Sequence, residues 1–289
     1  MLAEAPTGIG KTISVLYAAV KQLANSDGNL RLAYLTAKTT GHESARKAVE
    51  DLAKEGVQLN ALAFAARDRL CFGQRDGSPC DVITCPLAQS YYDHRQDALR
   101  DALDQGWVGL RELRSLAEKH QVCPSALAID LVPWVDLVVC DYNYVFDPSV
   151  RLAGLTNEGK RSVALLIDEA HNLPDRARRM FSADLSTLKV SKLKQALGTA
   201  LPPCRQAIDK IIEVLRDTRQ REGVNLPAIT LDSLPRGLRS AISAFLAAAD
   251  HFLSRGESTG YQESLLDAYF ELSGFLRMLE LGNEETHAL

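Results

Sequence analysis

Residues near the start of the chain have the types and spacing of a phosphate-binding loop. Residues 5–12 read Ala-Pro-Thr-Gly-Ile-Gly-Lys-Thr, with alanine in the place of the first consensus glycine. The glycines let backbone N–H groups turn toward phosphate oxygens, the lysine can reach the β- and γ-phosphates, and the threonine hydroxyl can ligate Mg²⁺. A tight glycine turn before an ordinary helix is the alternative. We predict an ATP and Mg²⁺ site formed by Pro6, Thr7, Gly8, Ile9, Gly10, Lys11 and Thr12.

An acidic tetrapeptide follows a short apolar run much later in the chain. Val163–Ile167 is typical of a buried strand, and residues 168–171 read Asp-Glu-Ala-His. Where a phosphate-binding loop is present, an aspartate at this place holds Mg²⁺ and the next glutamate can orient or deprotonate the attacking water. A solvated acidic helix start is the alternative. We therefore interpret Lys11, Asp168 and Glu169 as catalytic, with Thr12 and Asp168 as ligands of Mg²⁺.

Four of the six cysteines lie in a region rich in glycine and polar residues, namely Cys71, Cys80, Cys85 and Cys123. Their spacing lacks the two close Cys-x-x-Cys pairs of a zinc ribbon. Three of them adjoin proline, which stiffens a ligand loop and also closes a common ferredoxin run. Spacing alone leaves a 4Fe–4S cluster, zinc and unligated thiols equally open. Cys140 and Cys204 lie beside apolar or amphipathic segments, and we expect both in the core.

The elements that must position these residues follow the alternation of a parallel α/β fold. Strands are expected at 32–36, 59–64, 135–140 and 163–167, with helices over 13–23 and 42–56. The pattern is interrupted between residues 70 and 124. After about residue 184 it becomes helical, with amphipathic segments near 208–215, 238–245 and 265–276. The insertion and the helical tail are therefore expected to be separate subdomains on one α/β core.

Composition limits the class of protein. The 289 residues are 46% hydrophobic, enough for a packed core, and the net charge of −4 argues against coating nucleic acid by bulk charge. No apolar run approaches the roughly 20 residues of a membrane span, and no basic-apolar leader opens the chain. We therefore expect a cytoplasmic protein without a membrane partner, in which the cysteines are reduced thiols or metal ligands.

Taken together, the motifs resemble the XPD/DinG family of iron–sulfur, DEAH-box superfamily 2 DNA helicases. The matching segments occur in family order at residues 4–12, 35–39, 66–71, 123–124, 141–148 and 168–172. The helical tail is similar to the arch domain of the family by position and character only.

This resemblance implies an α/β fold with a RecA-like P-loop parallel sheet, into which an Fe–S cluster domain and a helical arch domain are inserted. The implied boundaries are motor lobe 1 at 1–69 and 125–184, the iron–sulfur cluster domain at 70–124, and an incomplete arch domain at 185–289.

The implied activity is ATP-driven translocation and unwinding, 5′→3′ on single-stranded DNA, in DNA repair. The implied cofactors are ATP, Mg²⁺ and a 4Fe–4S cluster held by Cys71, Cys80, Cys85 and Cys123. The implied DNA contacts are Arg67, Lys38 and Tyr142, although core packing is an equal alternative for Tyr142.

Two parts of the family pattern have no match, the segment before the phosphate-binding loop and the motifs of the second motor lobe. We expect an N-terminal fragment whose partners are single-stranded DNA and the missing second helicase lobe. By itself it is expected to be weakly active or inactive. A non-motor ATP- and DNA-binding scaffold and a redox sensor that uses the cluster are the alternatives.

Overall fold

The computed structural model describes residues 2–5, 9–73, 80, 82, 84–156, 161–223, 231, 233–255 and 260–281. The chain divides into two compact units, Met1–Met180 and Phe181–Leu289. The division lies close to residue 184, after which the sequence pattern is helical.

One parallel sheet organises the described part of the first unit. Its strands are β1 Leu30–Leu35, β2 Ala61–Ala63, β3 Trp107–Val108, β4 Leu137–Cys140 and β5 Ser162–Ile167, in the spatial order β3-β2-β4-β1-β5. In the pairing register, Leu35 at the end of β1 lies opposite Cys140 of β4 and Ile167 of β5. The carboxyl ends of these three strands therefore meet at one edge of the sheet. The predicted α/β class is confirmed, and the four predicted strands overlap β1, β2, β4 and β5.

The helices of the first unit connect these strands. They are α1 Lys11–Ala24, α2 Thr39–Lys54, α3 Arg67–Leu70, α4 Pro86–Gln89, α5 Tyr91–Leu103, α6 Leu110–His120, α7 Pro124–Leu131, α8 Asn143–Phe146, α9 Ala153–Thr156 and α10 Leu173–Met180, with a 3-10 turn at Ala170–Asn172.

Side-chain alternation along the strands produces a separate core on each face of the sheet. Leu32 and Tyr34 of β1 pack with α1 and α2. Ala33 and Leu35 pack on the other face with α5, α6 and α7. Because successive strand side chains point to opposite faces, a continuous apolar run is what a sheet covered on both sides requires.

The described part of residues 70–124 shares a sheet and a core with the rest of the first unit. Strand β3 extends the sheet by pairing with β2, and Ala98, Leu113 and Leu116 of α5 and α6 are buried in the same core as β1. The polar faces of these helices mask their apolar stripes in the sequence. The boundaries expected for an iron–sulfur cluster domain at 70–124 stay a prediction.

The second unit is helical in all its described residues. Its helices are α11 Thr187–Leu197, α12 Pro202–Gly223, α13 Leu238–Leu253 and α14 Gln262–Leu281. Ile208, Ile242, Phe245 and Leu265 are fully buried in its core, as their helical spacing predicts, and Cys204 is buried there too. Among the described helices of both units, none is long and apolar enough to cross a membrane.

A buried arginine joins the sheet to the loop before β4 and to helix α9. Arg31 of β1 is 5% exposed. Its guanidinium donates to the carbonyl oxygen of Gly154 at 2.8 Å and to that of Pro133 at 2.7 Å. These charged hydrogen bonds satisfy carbonyl groups on segments that flank β4 and β5, and we expect them to fix both segments against β1.

We predict that Arg31→Met destabilises the first unit by about 3 kcal/mol, because both charged hydrogen bonds are lost and two carbonyls are left without donors. Urea unfolding followed by the fluorescence of Trp107 and Trp134 measures this, since both tryptophans of the chain lie in the first unit. Arg161→Met is the control, because Arg161 makes an exposed hydrogen bond to the Gly28 carbonyl. The control should change the free energy of unfolding by only about 0.5 kcal/mol. Equal effects of the two substitutions would contradict the role given to Arg31.

Candidate functional site

The predicted phosphate-binding loop comes directly before α1 in the chain. Gly10 has φ 79° and is the N-cap of this helix. This left-handed conformation is costly for residues with a side chain, so the sequence needs glycine at this position. Lys11 begins the helix, and its Nζ donates to the Ala5 carbonyl at 3.3 Å, which holds the ammonium group beside the segment that enters the loop. Ile9 is exposed, and Pro6, Thr7 and Gly8 lie outside the described residues.

A buried tyrosine brings the two predicted Mg²⁺ ligands to one place. The hydroxyl of Tyr34, in β1, lies 3.2 Å from Thr12 Oγ1. Burial raises the pKa of the Tyr34 phenol to about 12, and the negative charge of Asp168 acts in the same direction. The phenol therefore stays protonated at neutral pH, with the Thr12 hydroxyl and the Asp168 carboxylate both near its oxygen.

Asp168 is held in place by the end of β1. Its backbone N–H donates to the Leu35 carbonyl at 2.9 Å, which continues the pairing of β5 with β1 by one residue. The buried Thr36 hydroxyl donates to Asp168 Oδ2 at 3.4 Å. The carboxylate is half-buried, so it is held by the sheet and still open on one side. This is the position from which a carboxylate can ligate a cation through the oxygen that remains available.

The next residue adopts a strained backbone conformation. Glu169 has φ 52° and ψ 44°, in the left-handed region, which costs a residue with a side chain about 1–2 kcal/mol. Its carbonyl accepts hydrogen bonds from the Asn172 backbone N–H at 2.9 Å and from Asn172 Nδ2 at 3.1 Å. These bonds offset the strain and turn the chain sharply after β5. The turn thus redirects the chain at the two carboxylates.

Tyr142 does not have the place expected from the sequence. Its side chain is fully buried, so its ring is not available to stack on a base. This corrects the DNA-contact expectation in favour of the core-packing alternative. Its hydroxyl donates to the Asp168 carbonyl, and lies 3.4 Å from the Glu169 carbonyl. Burial raises the pKa of the phenol, and the Asp168 carboxylate adds to this, so the group remains a donor.

A cavity of about 930 Å³ lies along the same edge of the sheet, at the carboxyl ends of β1, β2, β3 and β4. Its lining includes Lys38, Arg46, Arg69 and Arg111 as basic groups, and Glu43, Glu112 and Asp141 as acidic groups. Each of these acidic groups is already paired with an arginine. Among the described residues, Lys38 and Arg69 form no ion pair. These two exposed cations therefore give the lining unpaired positive charge.

The four candidate ligand cysteines are half-buried, whereas Cys140 and Cys204 are buried. Three of them lie at helix ends, Cys71 after α3 and Cys85 and Cys123 as the N-caps of α4 and α7. Within the described ranges, no group of three or more histidine, cysteine, aspartate or glutamate side chains is arranged to hold a metal ion. The 4Fe–4S cluster therefore stays a prediction.

Hydrogen bonds do tie these cysteine segments to common elements. Arg114 of α6 donates to the carbonyl oxygens of Leu70 at 3.3 Å and Cys71 at 3.4 Å. The hydroxyl of Ser90, which follows α4, donates to the Gln121 carbonyl at 2.8 Å. The segments that carry Cys71, Cys85 and Cys123 are thus anchored close to α6. Arg67 is exposed one turn before Cys71, whose N–H donates to the Arg67 carbonyl at 2.8 Å.

Sequence reasoning missed Tyr34 and Thr36 as residues of this site. Both lie in an apolar run and were counted as part of a buried strand. The alternation of side chains within β1 could have indicated the position of Tyr34. It places Tyr34 on the face of the sheet covered by α1, the helix that begins at Lys11. Thr36, the residue after β1, could have been expected at the carboxyl edge, where the sites of parallel sheets lie.

Comparison with known proteins gives relatives for this arrangement. The chain is 23% identical over 248 residues to the General transcription and DNA repair factor IIH helicase subunit XPD of Dictyostelium discoideum, covering 75% of this chain and 31% of the relative. It is 22% identical to the XPD/RAD3 subunit of Saccharomyces cerevisiae, covering 87% and 38%. It is 23% identical to the Regulator of telomere elongation helicase 1 homolog of Caenorhabditis elegans, covering 75% and 24%. The chain thus spans well under half the length of these relatives.

Solved structures share the fold at lower sequence identity. A structure described as XPD_Helicase superposes with a TM-score of 0.58 at 17% identity, covering 96% of this chain and 46% of that one. One described as Truncated XPD gives 0.54 at 15% identity, covering 96% and 76%. The DEAD_2 family matches residues 35–190, more than half of the chain. The resemblance inferred from the motifs is confirmed, and the chain belongs to the DEAD_2 family of XPD-like superfamily 2 helicases.

Proposed function

We propose that this chain provides the first motor lobe of an ATP-dependent DNA helicase of the XPD type. The observation that carries the proposal is the meeting of Thr12 and Asp168 around the Tyr34 hydroxyl, at the carboxyl edge of a parallel sheet. A threonine after the phosphate-binding lysine and an aspartate at the end of a neighbouring strand are the pair that holds Mg²⁺ in P-loop enzymes. The helicase names of the relatives support the reaction class.

The side chains have separable tasks in ATP hydrolysis. Lys11 binds the β- and γ-phosphates, and the backbone of the loop and the N-terminal end of α1 orient them. Thr12 and Asp168 would hold Mg²⁺, which supplies charge neutralisation on the phosphate oxygens when it is bound. Glu169, on the strained turn next to Asp168, orients or deprotonates the attacking water. His171 Nδ1 lies 3.5 Å from Glu169 Oε2 and can steady that carboxylate.

We assign single-stranded DNA to the cavity at the carboxyl ends of β1 to β4. Lys38 and Arg69 are exposed cations on its lining, suited to phosphate groups. Exposed Arg67 is on the same short helix as Arg69 and remains a proposed DNA contact. Tyr144 lines the cavity and makes an edge-on contact with Phe64, with ring centroids 4.7 Å apart. Because Tyr142 is buried, we propose Tyr144 as the residue of this segment that stacks on a base.

We also keep the 4Fe–4S cluster as part of the proposal, with Cys71, Cys80, Cys85 and Cys123 as ligands. The support for the cluster is the set of donor atoms, which are four half-buried thiols. Three of these cysteines lie next to the ends of helices, and hydrogen bonds tie their segments to the region of α6. Four thiolates are the ligand set that such clusters use. The cluster would be chiefly structural and order the segment that begins beside Arg67, because binding at such a site contributes to folding.

Unwinding requires two lobes that close on ATP, and the described residues contain one RecA-like sheet. In related P-loop enzymes an arginine finger that reaches the transition state raises the rate by about 10³–10⁵-fold. We therefore place 5′→3′ translocation with the two-lobed assembly. Residues 1–289 alone would then bind ATP and single-stranded DNA with little turnover, which is also what the non-motor scaffold alternative entails.

We predict that Lys11→Ala weakens ATP binding in Mg²⁺ by about tenfold or more, because a charged hydrogen bond contributes about 1.5–3 kcal/mol. Titration calorimetry with ATP, ADP and adenosine measures it, and the phosphate-dependent part of the affinity should be lost. Lys21→Ala is the control on the same helix, since its ammonium group lies 4.6 Å from the Tyr17 ring centroid. If Lys11→Ala retains the parent affinity for ATP, the nucleotide assignment fails.

Anaerobically purified protein should be brown and contain about four iron atoms per chain. Cys123→Ser should remove the colour and the iron, because it replaces a soft thiolate ligand. It should also weaken binding of an oligo-dT strand while nucleotide binding persists. Cys140→Ala and Cys204→Ala are the controls, since both thiols are buried, and they should keep the iron. Stoichiometric zinc without iron, or iron loss in a control but not in Cys123→Ser, would refute the assignment.

A further inference from the structure

The segment after β4 faces two ways. Asp141, Asn143 and Tyr144 line the cavity, while Tyr142 between them is fully buried. The hydroxyl of Tyr142 reaches the carbonyls of Asp168 and Glu169. A single short segment thus contributes to the wall of the proposed DNA cavity and contacts the turn that carries the proposed catalytic carboxylates.

A second contact joins the same two segments. Arg176 of α10, the helix that follows the turn, lies 3.5 Å from both carboxylate oxygens of Asp141. Its guanidinium carbon is 5.8 Å from the centroid of the Tyr142 ring. Asp141 also accepts the Asn143 backbone N–H at 3.0 Å, which makes the segment a closed local turn. Movement of the cavity wall at Asp141 therefore has a path to the turn through both Tyr142 and Arg176.

The energetic consequence follows from the strain at Glu169. A left-handed residue with a side chain keeps its conformation only while neighbouring groups hold it. Tyr142 supplies one such bond to the backbone of Asp168 and approaches the carbonyl of Glu169. Without that donor the turn loses part of its support, and the orientation of both carboxylates becomes less defined.

We infer that Tyr142 is a positioning residue that links occupancy of the cavity by single-stranded DNA to the geometry of the Asp168–Glu169 turn. The inference rests on the proposed function, because it requires that the chain bind both ligands. Binding in the cavity shifts or stiffens the Asp141–Tyr144 segment, and the Tyr142 hydroxyl transmits this to the backbone beside the Mg²⁺ ligand Asp168. Since coupling between two binding sites is reciprocal, Mg²⁺–nucleotide must then affect DNA affinity by the same factor.

The test measures the affinity of the 289-residue chain for a slowly hydrolysed ATP analogue in Mg²⁺, without and with saturating oligo-dT. In the parent, oligo-dT should tighten analogue binding by about fivefold or more, the lower end of typical coupling factors. In Tyr142→Phe this factor should fall to about half of the parent value or less, because only the Arg176 link remains, while oligo-dT affinity and analogue affinity in EDTA stay within about twofold of the parent. The ring remains, so only the hydroxyl is removed.

Tyr91→Phe is the matched control. Tyr91 is also buried in the first unit, and its hydroxyl donates to Asp130 Oδ2 at 2.8 Å, on residues that line neither the cavity nor the turn. It should lose similar stability and keep the coupling factor, so a merely structural effect is separated from positioning. Arg176→Met is the second variant. Its side chain is partly exposed, and it should lower the coupling factor by removing the other link.

The possible outcomes test the role of Tyr142 separately from the proposed function. Coupling that is present in the parent and in Tyr91→Phe but reduced in Tyr142→Phe supports the inference. Coupling that is absent from the parent, or unchanged in Tyr142→Phe, overturns it while the proposed function stands. If Tyr142→Phe does not fold, unchanged coupling in Arg176→Met overturns it and reduced coupling supports it. A parent that binds no Mg²⁺–nucleotide or no oligo-dT overturns the proposed function, and the inference with it.

Discussion

The parallel pairing of β1 with β5 is the constraint on which the site depends. Its register sets Leu35 opposite Ile167, so the residues that follow, Thr36 and Asp168, leave the sheet side by side. A one-residue slip in this register would turn each side chain to the other face of the sheet. The Asp168 carboxylate would then lie away from Tyr34 and Thr12. Burial of β1 on both faces resists such a slip, because Leu32 and Tyr34 fill one core and Ala33 and Leu35 the other.

Two buried tyrosine hydroxyls give the polar site its order within this apolar frame. Tyr34 meets Thr12 and the charge of Asp168 from the α1 face, and Tyr142 meets the Asp168 backbone from the opposite core. Both phenols have a raised pKa because of burial, so both remain donors or acceptors of fixed protonation at neutral pH. The strained Glu169 backbone directly follows Asp168, and its carbonyl lies 3.4 Å from the Tyr142 hydroxyl. Preorganised polar groups of this kind orient reacting atoms without reorganising during the reaction.

The sequence predicted what depends on local pattern and not what depends on tertiary contact. The helix that begins at Lys11, the strand before Asp168 and the helices around Ile208 and Phe245 follow from glycine placement and apolar spacing, and the structure contains them. Strand β3 escaped prediction because two residues carry no periodicity, and it exists through its pairing with β2. The family resemblance implies a DNA contact for Tyr142, with core packing as an equal alternative. Only the fold shows that its neighbours face the cavity and it does not.

We propose that Thr12 and Asp168 together hold the metal of a metal–nucleotide complex. Replacing Mg²⁺ by Mn²⁺ allows a direct titration by electron paramagnetic resonance with the chain saturated by ADP. We expect one bound Mn²⁺ per chain. In both Thr12→Ala and Asp168→Asn, the affinity for Mn²⁺ should fall by at least about tenfold. Asp175→Asn, an exposed aspartate paired with Arg178, should leave the affinity unchanged. If both Thr12→Ala and Asp168→Asn keep the Mn²⁺ affinity of the parent, these two residues do not hold the metal.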